Sequence, residues 1–351
     1  MTHKEILVFH PGTIGDTLAS LPVFDYIRKL HPEDRLVHLS WFRSQRAAAE
    51  ALLAPTRYFD RFIGGSVPDG ARFLHLKMAA MIWHLRHEHF DIMYYCAGGW
   101  PNYGRSFRRN MLLFKLLRVP IVIGNRKPHA FSDPRSPTPK LFRMYFEELF
   151  DEPVSHSDFD LELSARELQT GADFFTSLRI ASGKIPVAVG CGGKKQVCKY
   201  PEERYVEIVR HMVNELNIFP ILFGGPKDRA AIDRILAGVP SKSATGVTGL
   251  SLRESIALLK HCRFYCGNDT GTIHMAAAAG LPCVGIYAAH SFRGCWEPLG
   301  EGHIILRRHP NCEGCFRRVC FTNPSECLAS IPVDEVLAKV REMMRRCAVS
   351  I

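Results

Sequence analysis

The chain has 351 residues, 46% of them hydrophobic and 23% charged, with a formal net charge of +10. That composition fits a soluble globular protein with room for two ordinary domains and excludes a disordered chain. No apolar run approaches the ~20 residues that cross a bilayer, and the positive charge favours an anionic partner: nucleic acid, an acidic membrane face or a phosphorylated ligand.

Met1-Thr2-His3-Lys4 leads directly into an apolar strand, so no signal peptide is read and a cytoplasmic location is expected. Of the twelve cysteines, Cys96, Cys191, Cys262, Cys266 and Cys283 fall in apolar segments and are expected to be buried, reduced thiols.

Glu5 to Phe9 reads as a buried strand, and His10 to Asp16 as the glycine turn after it. Thr17 to Leu30 follows as a helix, with Leu18, Leu21, Phe24, Ile27 and Leu30 at helical spacing. Strand, glycine turn and helix together open a doubly wound sheet. Strands at 36–39, 61–63, 91–95 and 120–123 alternate with helices at 44–53, 73–87 and 107–117, which predicts a parallel sheet with helices on both faces. Residues 124–139, rich in proline, glycine and positive charge, read as an irregular surface segment. A helix near 141–149 and a polar stretch over 151–163 place the domain boundary close to 165.

A second series then begins, with strands at 187–190, 220–223, 263–266 and 283–286 and helices at 202–216, 228–236, 252–259 and 270–279. The repeated architecture predicts an α/β fold of two Rossmann-like domains facing each other across a cleft. They span 1–165 and 166–331, the second with a cysteine-rich loop at 312–327, and a terminal helix falls within 332–351.

The densest chemistry lies between Phe264 and Pro282. An apolar run ends at Gly267 and a helix follows whose two ends are both marked. Asp269 or Thr270 can cap its first N–H groups, Gly280 suits the left-handed position after it, and Pro282 forbids continuation. The free amino end offers N–H groups and about half a positive charge to a phosphate. His274 lies one turn in, on the side that reaches that seat. A plain capped helix remains the simpler reading, but Asp, Thr, Gly and His at one mouth favour a ligand site.

Gly12-Thr13-Ile14-Gly15-Asp16 holds a carboxylate at a glycine turn, suited to general-base work or to capping the first helix. It is not the G-x-G-x-x-G of dinucleotide binding. Gly192 to Glu202 follows a strand and precedes a helix; Lys199, just before Pro201, is set to reach a diphosphate, whereas Lys194 and Lys195 read as a solvated basic loop. Gly224-Gly225-Pro226-Lys227-Asp228 ends another strand, where it meets a ribose or serves only as a turn.

Taken together, these stretches resemble glycosyltransferase family 9, which contains the ADP-heptose:lipopolysaccharide heptosyltransferases. The resemblance rests on Gly12, Gly15 and Asp16 in a G-x-x-G-D loop, Lys199-Tyr200-Pro201, the turn from Gly224 to Asp228, and Asn268 through His274 in an N-D-[ST]-G-x-x-H pattern, with Trp296-Glu297-Pro298 following. It implies a GT-B fold, with an acceptor-binding first domain and a nucleotide-sugar-binding second one. It also implies inverting, metal-independent transfer of a heptose or related sugar, commonly from ADP-heptose, to a lipopolysaccharide core-type acceptor, with no cofactor required for catalysis. Asp16 would be the base. Lys199, Thr270 and Gly271 would hold the diphosphate, Asp269, Thr272 and His274 would complete the donor pocket, and Lys227 or Asp228 would stand near the ribose. Tyr200 stands where Trp is commoner.

Other patterns compete for attention. Asp158-Phe159-Asp160 has D-x-D spacing but falls in the linker, and His84, His87, Glu88 and His89 read as a solvated helix end. Cys312, Cys315, Cys320 and Cys327 have the spacing of a structural zinc or iron knuckle, with free thiols or a disulfide as alternatives. Arg105, Arg108, Arg109, Lys115, Arg118, Arg126 and Lys127 gather positive charge, which either keeps the protein in solution or attracts an anionic membrane surface carrying the acceptor. The rivals are a nucleotide-sugar epimerase of similar fold and a basic nucleic-acid-binding protein. The chain lacks the aromatic-basic interleaving of the latter, so no nucleic-acid partner is expected.

Overall fold

The computed structural model describes residues 3–68, 74–97, 103–124, 150, 160–322 and 325–349. They form two compact units, divided between Glu162 and Leu163. Among the described residues no helix is long and apolar enough to cross a membrane.

The first unit is built on β1 (Glu5–Phe9), β2 (Arg35–Phe42), β3 (Arg61–Val67), β4 (Ile92–Tyr95) and β5 (Ile121–Ile123). Their order across the sheet is β3-β2-β1-β4-β5, with every pairing parallel. The helices are α1 (Ile14–Ala19), α2 (Leu21–Leu30), α3 (Arg43–Leu53), α4 (Leu74–Leu85) and α5 (Tyr103–Phe114), the last continued by a 3₁₀ turn, Lys115–Leu117. Leu7, Phe9, Val37, Leu39 and Trp41 face Met78, Met81, Ile82, Phe107 and Phe114 of α4 and α5 in one buried core. The expected single helix over 17–30 is two helices that meet at Ser20. Pro22 has no N–H to continue the ladder and is tolerated only in a first turn, so α2 starts afresh there.

The second unit contains β6 (Ile185–Gly190), β7 (Ile218–Phe223), β8 (Thr245–Val247), β9 (Tyr265–Asn268), β10 (Cys283–Tyr287) and β11 (Ile304–Arg307). Its order is β11-β10-β9-β6-β7-β8, again all parallel. Its helices are α6 (Ala165–Ser177), α7 (Glu202–Asn214), α8 (Arg229–Ala237), α9 (Leu252–Leu259), α10 (Gly271–Ala278), α11 (Glu326–Ala329) and α12 (Val333–Val349). The apolar side of α12, with Val336, Leu337, Val340 and Met343, is buried in this unit's core, so the terminal helix is part of the second unit. The edge strands β8 and β11 and the helix α6 were not expected from sequence.

Both chains of connections place the interesting turns alike. In the first sheet the strand order reverses between β1 and β4, and the Gly12–Asp16 turn leaves β1 there. In the second it reverses between β6 and β9, whose carboxyl ends lead to Gly192–Lys199 and to Asp269–His274. Ligands of open α/β sheets bind outside the carboxyl ends of strands at such reversals.

Candidate functional site

In the first unit the turn after β1 is tight enough to require glycine. A methyl group at Gly12 would come 2.2 Å from His10 Cε1 and 2.5 Å from Asp16 Cβ. The half-buried Asp16 carboxylate accepts through Oδ2 from the Thr13 N–H at 2.6 Å and the Thr13 hydroxyl at 3.1 Å. These contacts form a capping box that fixes the carboxylate on the turn. Ser20, at the break between α1 and α2, donates to the Asp16 carbonyl at 2.8 Å and lies 3.2 Å from His10 Nε2. Burial drives His10 down to about 3, so a neutral ring sits beneath the turn.

In the second unit three segments converge. Thr270 caps α10 and accepts from the Thr272 N–H at 3.4 Å, while Asp269, Thr270, Gly271 and Thr272 are all half-buried at the mouth. Gly280 adopts φ of 84° after the helix, as its position demanded. His274 is buried, and burial with the nearby His303 lowers it to about 4; its Nδ1 has no hydrogen-bond partner. Gly193 lies between Lys199 and Thr270: a methyl group on it would be 3.4 Å from Lys199 Cγ and 3.4 Å from Thr270 Cγ2. Lys199 is exposed, so its ammonium is available in water at this junction.

Asp228 extends the row. Its carboxylate accepts from the Gly225 N–H at 3.0 Å and lies against Gly192, where a methyl group would be 2.6 Å from the carboxyl carbon. Lys227 beside it is exposed. The structure thus brings Gly192, Gly193, Lys199, Thr270 and Asp228 together. Lys195 is less solvated than its sequence context suggested, because its ammonium meets His290 Nε2 at 2.9 Å. Burial first, then the charges of Lys195 and Arg307, lower His290 to about 4 and leave it a neutral acceptor.

Asn268, to which the sequence pattern assigns no role, joins these segments. Its Nδ2 donates to the carbonyls of Cys191 and Gly192 at 2.9 and 3.0 Å. Its Oδ1 accepts from the Tyr200 N–H at 3.2 Å and the Tyr205 hydroxyl at 2.8 Å. The side chain is fully buried with all its hydrogen-bonding capacity used, which is what a polar group inside a protein requires. Tyr200 itself is buried and donates to the Ile331 carbonyl at 2.8 Å.

The remaining sequence candidates resolve differently. Cys96, Cys191, Cys262, Cys266 and Cys283 are buried free thiols, all held above the ordinary thiol range by burial. Cys312 is exposed, Cys315 and Cys320 are half-buried and Cys327 is buried. Among the described residues no group of three or more His, Cys, Asp or Glu side chains could hold a metal ion, so of the alternatives for Cys312, Cys315, Cys320 and Cys327 the structure shows free thiols, not a metal knuckle or a disulfide. The loop instead braces its neighbours: Cys320 N–H donates to Gln196 Oε1 at 3.2 Å and the Ser325 hydroxyl to the Val197 carbonyl at 3.2 Å.

Glu88 is taken by both guanidinium nitrogens of Arg61 at 2.7 Å, which removes it from any histidine cluster. Arg109 donates to its neighbour Asn110 at 3.2 and 3.1 Å, whereas Arg108, Lys115 and Arg118 stay exposed. Arg126, Lys127, Asp158, Phe159, the segment 125–139 and the helix expected at 141–149 lie outside the described residues, as does the side chain of Arg105.

The family model described as glycosyltransferase family 9 (heptosyltransferase) matches residues 127–325. The chain is 31% identical to lipopolysaccharide heptosyltransferase 2 of Salmonella typhimurium over 97 residues, 26% of this chain and only 28% of that protein. It is 23% identical to lipooligosaccharide heptosyltransferase 2 of Haemophilus ducreyi over 334 residues, 86% of this chain and 88% of that protein. Among solved structures, a glycosyl transferase family 9 protein of Veillonella parvula superposes with a TM-score of 0.75 at 16% identity, covering 99% of this chain and 98% of its own. The E. coli ADP-heptose lps heptosyltransferase II gives a TM-score of 0.67 at 18% identity, covering 97% of this chain and 99% of its own. The expected GT-B class of fold is thereby shown.

Proposed function

The chain belongs to glycosyltransferase family 9 and is a glycosyltransferase, and from that premise we propose that it moves a heptose from ADP-heptose to a lipopolysaccharide core-type acceptor with inversion and without a catalytic metal. One observation carries the assignment of the donor site. Gly193 sits between Lys199 and the Thr270 cap of α10, at the strand reversal of a sheet whose family transfers activated sugars. A sulfate, phosphate or diphosphate at such a helix end meets free N–H groups and the positive end of the dipole.

The proposed chemistry follows from charge. When the glycosidic phosphate leaves, negative charge grows on the diphosphate oxygens. The Lys199 ammonium and the amino end of α10 offset it with groups already in place, which is why no metal is required for that step. Neutral His274 and Asp269 orient the sugar, Gly271 contributes its backbone N–H and Thr272 its hydroxyl. Asp228, rather than the exposed Lys227, is the ribose partner, since its carboxylate borders Gly192. Inversion requires the acceptor hydroxyl to lose its proton to a base, and Asp16, fixed by Thr13, is the carboxylate for that task.

The acceptor is read as a phosphorylated glycolipid at the inner face of the cytoplasmic membrane, consistent with the chain's net charge of +10. Calorimetric titration with ADP-heptose, ADP and UDP-sugars tests the donor assignment: binding of the ADP compounds that weakens in Lys199→Ala supports it, and selective binding of a UDP-sugar contradicts it. An epimerase of related fold would turn over its sugar nucleotide with no acceptor present, which the same samples reveal by mass spectrometry.

A further inference from the structure

Nine large hydrophobic side chains are exposed among the described residues, and five of them, Leu76, Trp83, Leu112, Leu116 and Ile121, belong to α4, α5, its 3₁₀ extension and β5. Isolated apolar side chains on a surface need no explanation, but a cluster does. The two helices pack against each other over one shared core, so their inward sides are spoken for. On α4 the outward positions Leu76, Ala80 and Trp83 recur at i, i+4 and i+7, one stripe of a helix; on α5 Arg108 and Leu112 recur at i and i+4, and Leu116 follows in the 3₁₀ turn. The exposures are large: 69% for Leu76, 55% for Trp83 and 68% for Leu112.

The charge on these elements has one sign. Neither α4 nor α5 contains Asp or Glu, and between residues 74 and 123 the carboxylates are Glu88 and Asp91 alone. Glu88 is occupied by Arg61, and Asp91 accepts from the Glu5 N–H at 2.9 Å. Lys77, Arg108, Lys115 and Arg118 are exposed beside the apolar residues, and the Arg86 guanidinium lies 3.6 Å over the Trp83 ring. Apolar side chains with a Trp, interleaved with cations and free of acid, match an anionic lipid interface, where rings and leucines enter the headgroup boundary while lysine and arginine meet phosphates.

We propose that α4, α5 and the 3₁₀ turn form a membrane-docking face that inserts Trp83, Leu76, Leu112 and Leu116 into an anionic bilayer. Its use rests on the lipid-linked acceptor of the functional reading above, but its argument rests on the face itself, and vesicle binding is measured without any transfer. Full-length protein is sedimented with vesicles of phosphatidylglycerol and phosphatidylcholine in equal parts, and with phosphatidylcholine alone. Tryptophan emission is followed with brominated phosphatidylglycerol.

The expected result is binding to the anionic vesicles only, with bromine quenching that disappears in Trp83→Phe. The combined variant Leu76→Gln, Leu112→Gln, Leu116→Gln partitions about tenfold less or weaker, as the loss of inserted apolar area requires. These side chains are exposed, so the urea midpoint should not move, and Trp83→Phe provides an independent readout if it does. No binding to anionic vesicles, quenching that persists in Trp83→Phe, or a Gln variant that binds like the parent overturns the proposal. So does a drop in oligomer size in the Gln variant, which would assign the face to a second copy of the chain.

Discussion

Asn268 Nδ2 donates to the Gly192 carbonyl at 3.0 Å while Asn268 Oδ1 accepts from the Tyr200 N–H at 3.2 Å. One buried amide therefore ties the residue preceding Asp269 to both sides of the lysine loop. Asn268→Asp keeps the shape and the acceptor but turns two donations, to Cys191 and Gly192, into contacts between oxygens. An ionised carboxylate there is buried against carbonyls, so its pKa must rise. At alkaline pH the variant should lose about 1–3 kcal/mol of donor binding, the cost of unsatisfied buried groups. As pH falls and the carboxyl becomes protonated, it can donate again and binding should recover. Donor affinity measured against pH checks this; a variant equally weak at all pH values, or not weakened at all, contradicts it.

Asp16 is assigned the proton transfer and not donor binding. Asp16→Ala should lower turnover by about 10²–10⁴-fold, the span of general-base effects, with ADP-heptose affinity nearly unchanged. Steady-state kinetics beside calorimetry separates the two. Turnover retained in Asp16→Ala removes this residue from the mechanism.

Lys199 and Lys194 share a loop and should behave differently. Lys199→Ala loses a charge-assisted contact to the diphosphate, worth about 1.5–3 kcal/mol in donor binding. Lys194 is exposed and outside the row formed with Gly193 and Thr270, so Lys194→Ala should change affinity little. Equal effects of the two substitutions would show a diffuse charge contribution instead of a positioned one.

Much of this architecture was legible because the signals were local. The strand at Glu5–Phe9 and the helix at Leu252–Leu259 coincide with expectation to the residue, and Gly280 with Pro282 fixed the end of α10. The misses have physical reasons. The strands β8 and β11 are edge strands of three and four residues, too short to show a period. Pro22 split a helix that apolar spacing alone ran together. Helix α6 was missed although Ser164 and Glu167 spell a capping box, a signal that could have been found. Asn268 reads as one polar residue in a turn; its importance lies in partners 63 to 77 residues away, which no local pattern reveals. Cys312 and its companions show the converse, a spacing suited to metal that the folded loop does not gather into a site.

The pair Glu167–Arg253 links α6 to α9, with guanidinium-to-carboxylate distances of 2.6 and 3.0 Å and an Arg253 side chain only 4% exposed. Arg253 first, then the Ser164 contacts, hold Glu167 down to about 2. Glu167→Ala removes the carboxylate that accepts both of these bonds from a buried guanidinium and should cost about 3–5 kcal/mol in urea unfolding. Because the folded carboxyl is depressed, its stabilisation is present above the unfolded value near 4.5 and is lost as pH falls through about 2. An Arg253→Met, Glu167→Leu double variant should recover much of the loss; no recovery would contradict a burial origin.

Acid sensitivity between pH 6.5 and 4.5 should come from histidines. His10 is lowered to about 3, His274 to about 4, and His38 well below 6.5, each chiefly by burial. Below 6.5 the unfolded chain takes up protons that these folded rings refuse. Their stabilisation is therefore complete above 6.5 and declines towards the folded values, by at most about 1.4 kcal/mol per pH unit for each ring. The urea midpoint should be flat above pH 7 and fall below 6.5, less steeply in His38→Gln. An unchanged slope in that variant would point to other groups.

The most direct test of the central claim is mass spectrometry of full-length protein incubated with ADP-heptose and a lipopolysaccharide core acceptor that lacks heptose. One ADP should be released for each acceptor that gains a heptosyl unit, with the anomeric configuration inverted, and Asp16→Ala should form both products about 10²–10⁴-fold more slowly. Consumption of the sugar nucleotide without an acceptor, or an acceptor left unchanged while the donor binds, would contradict it.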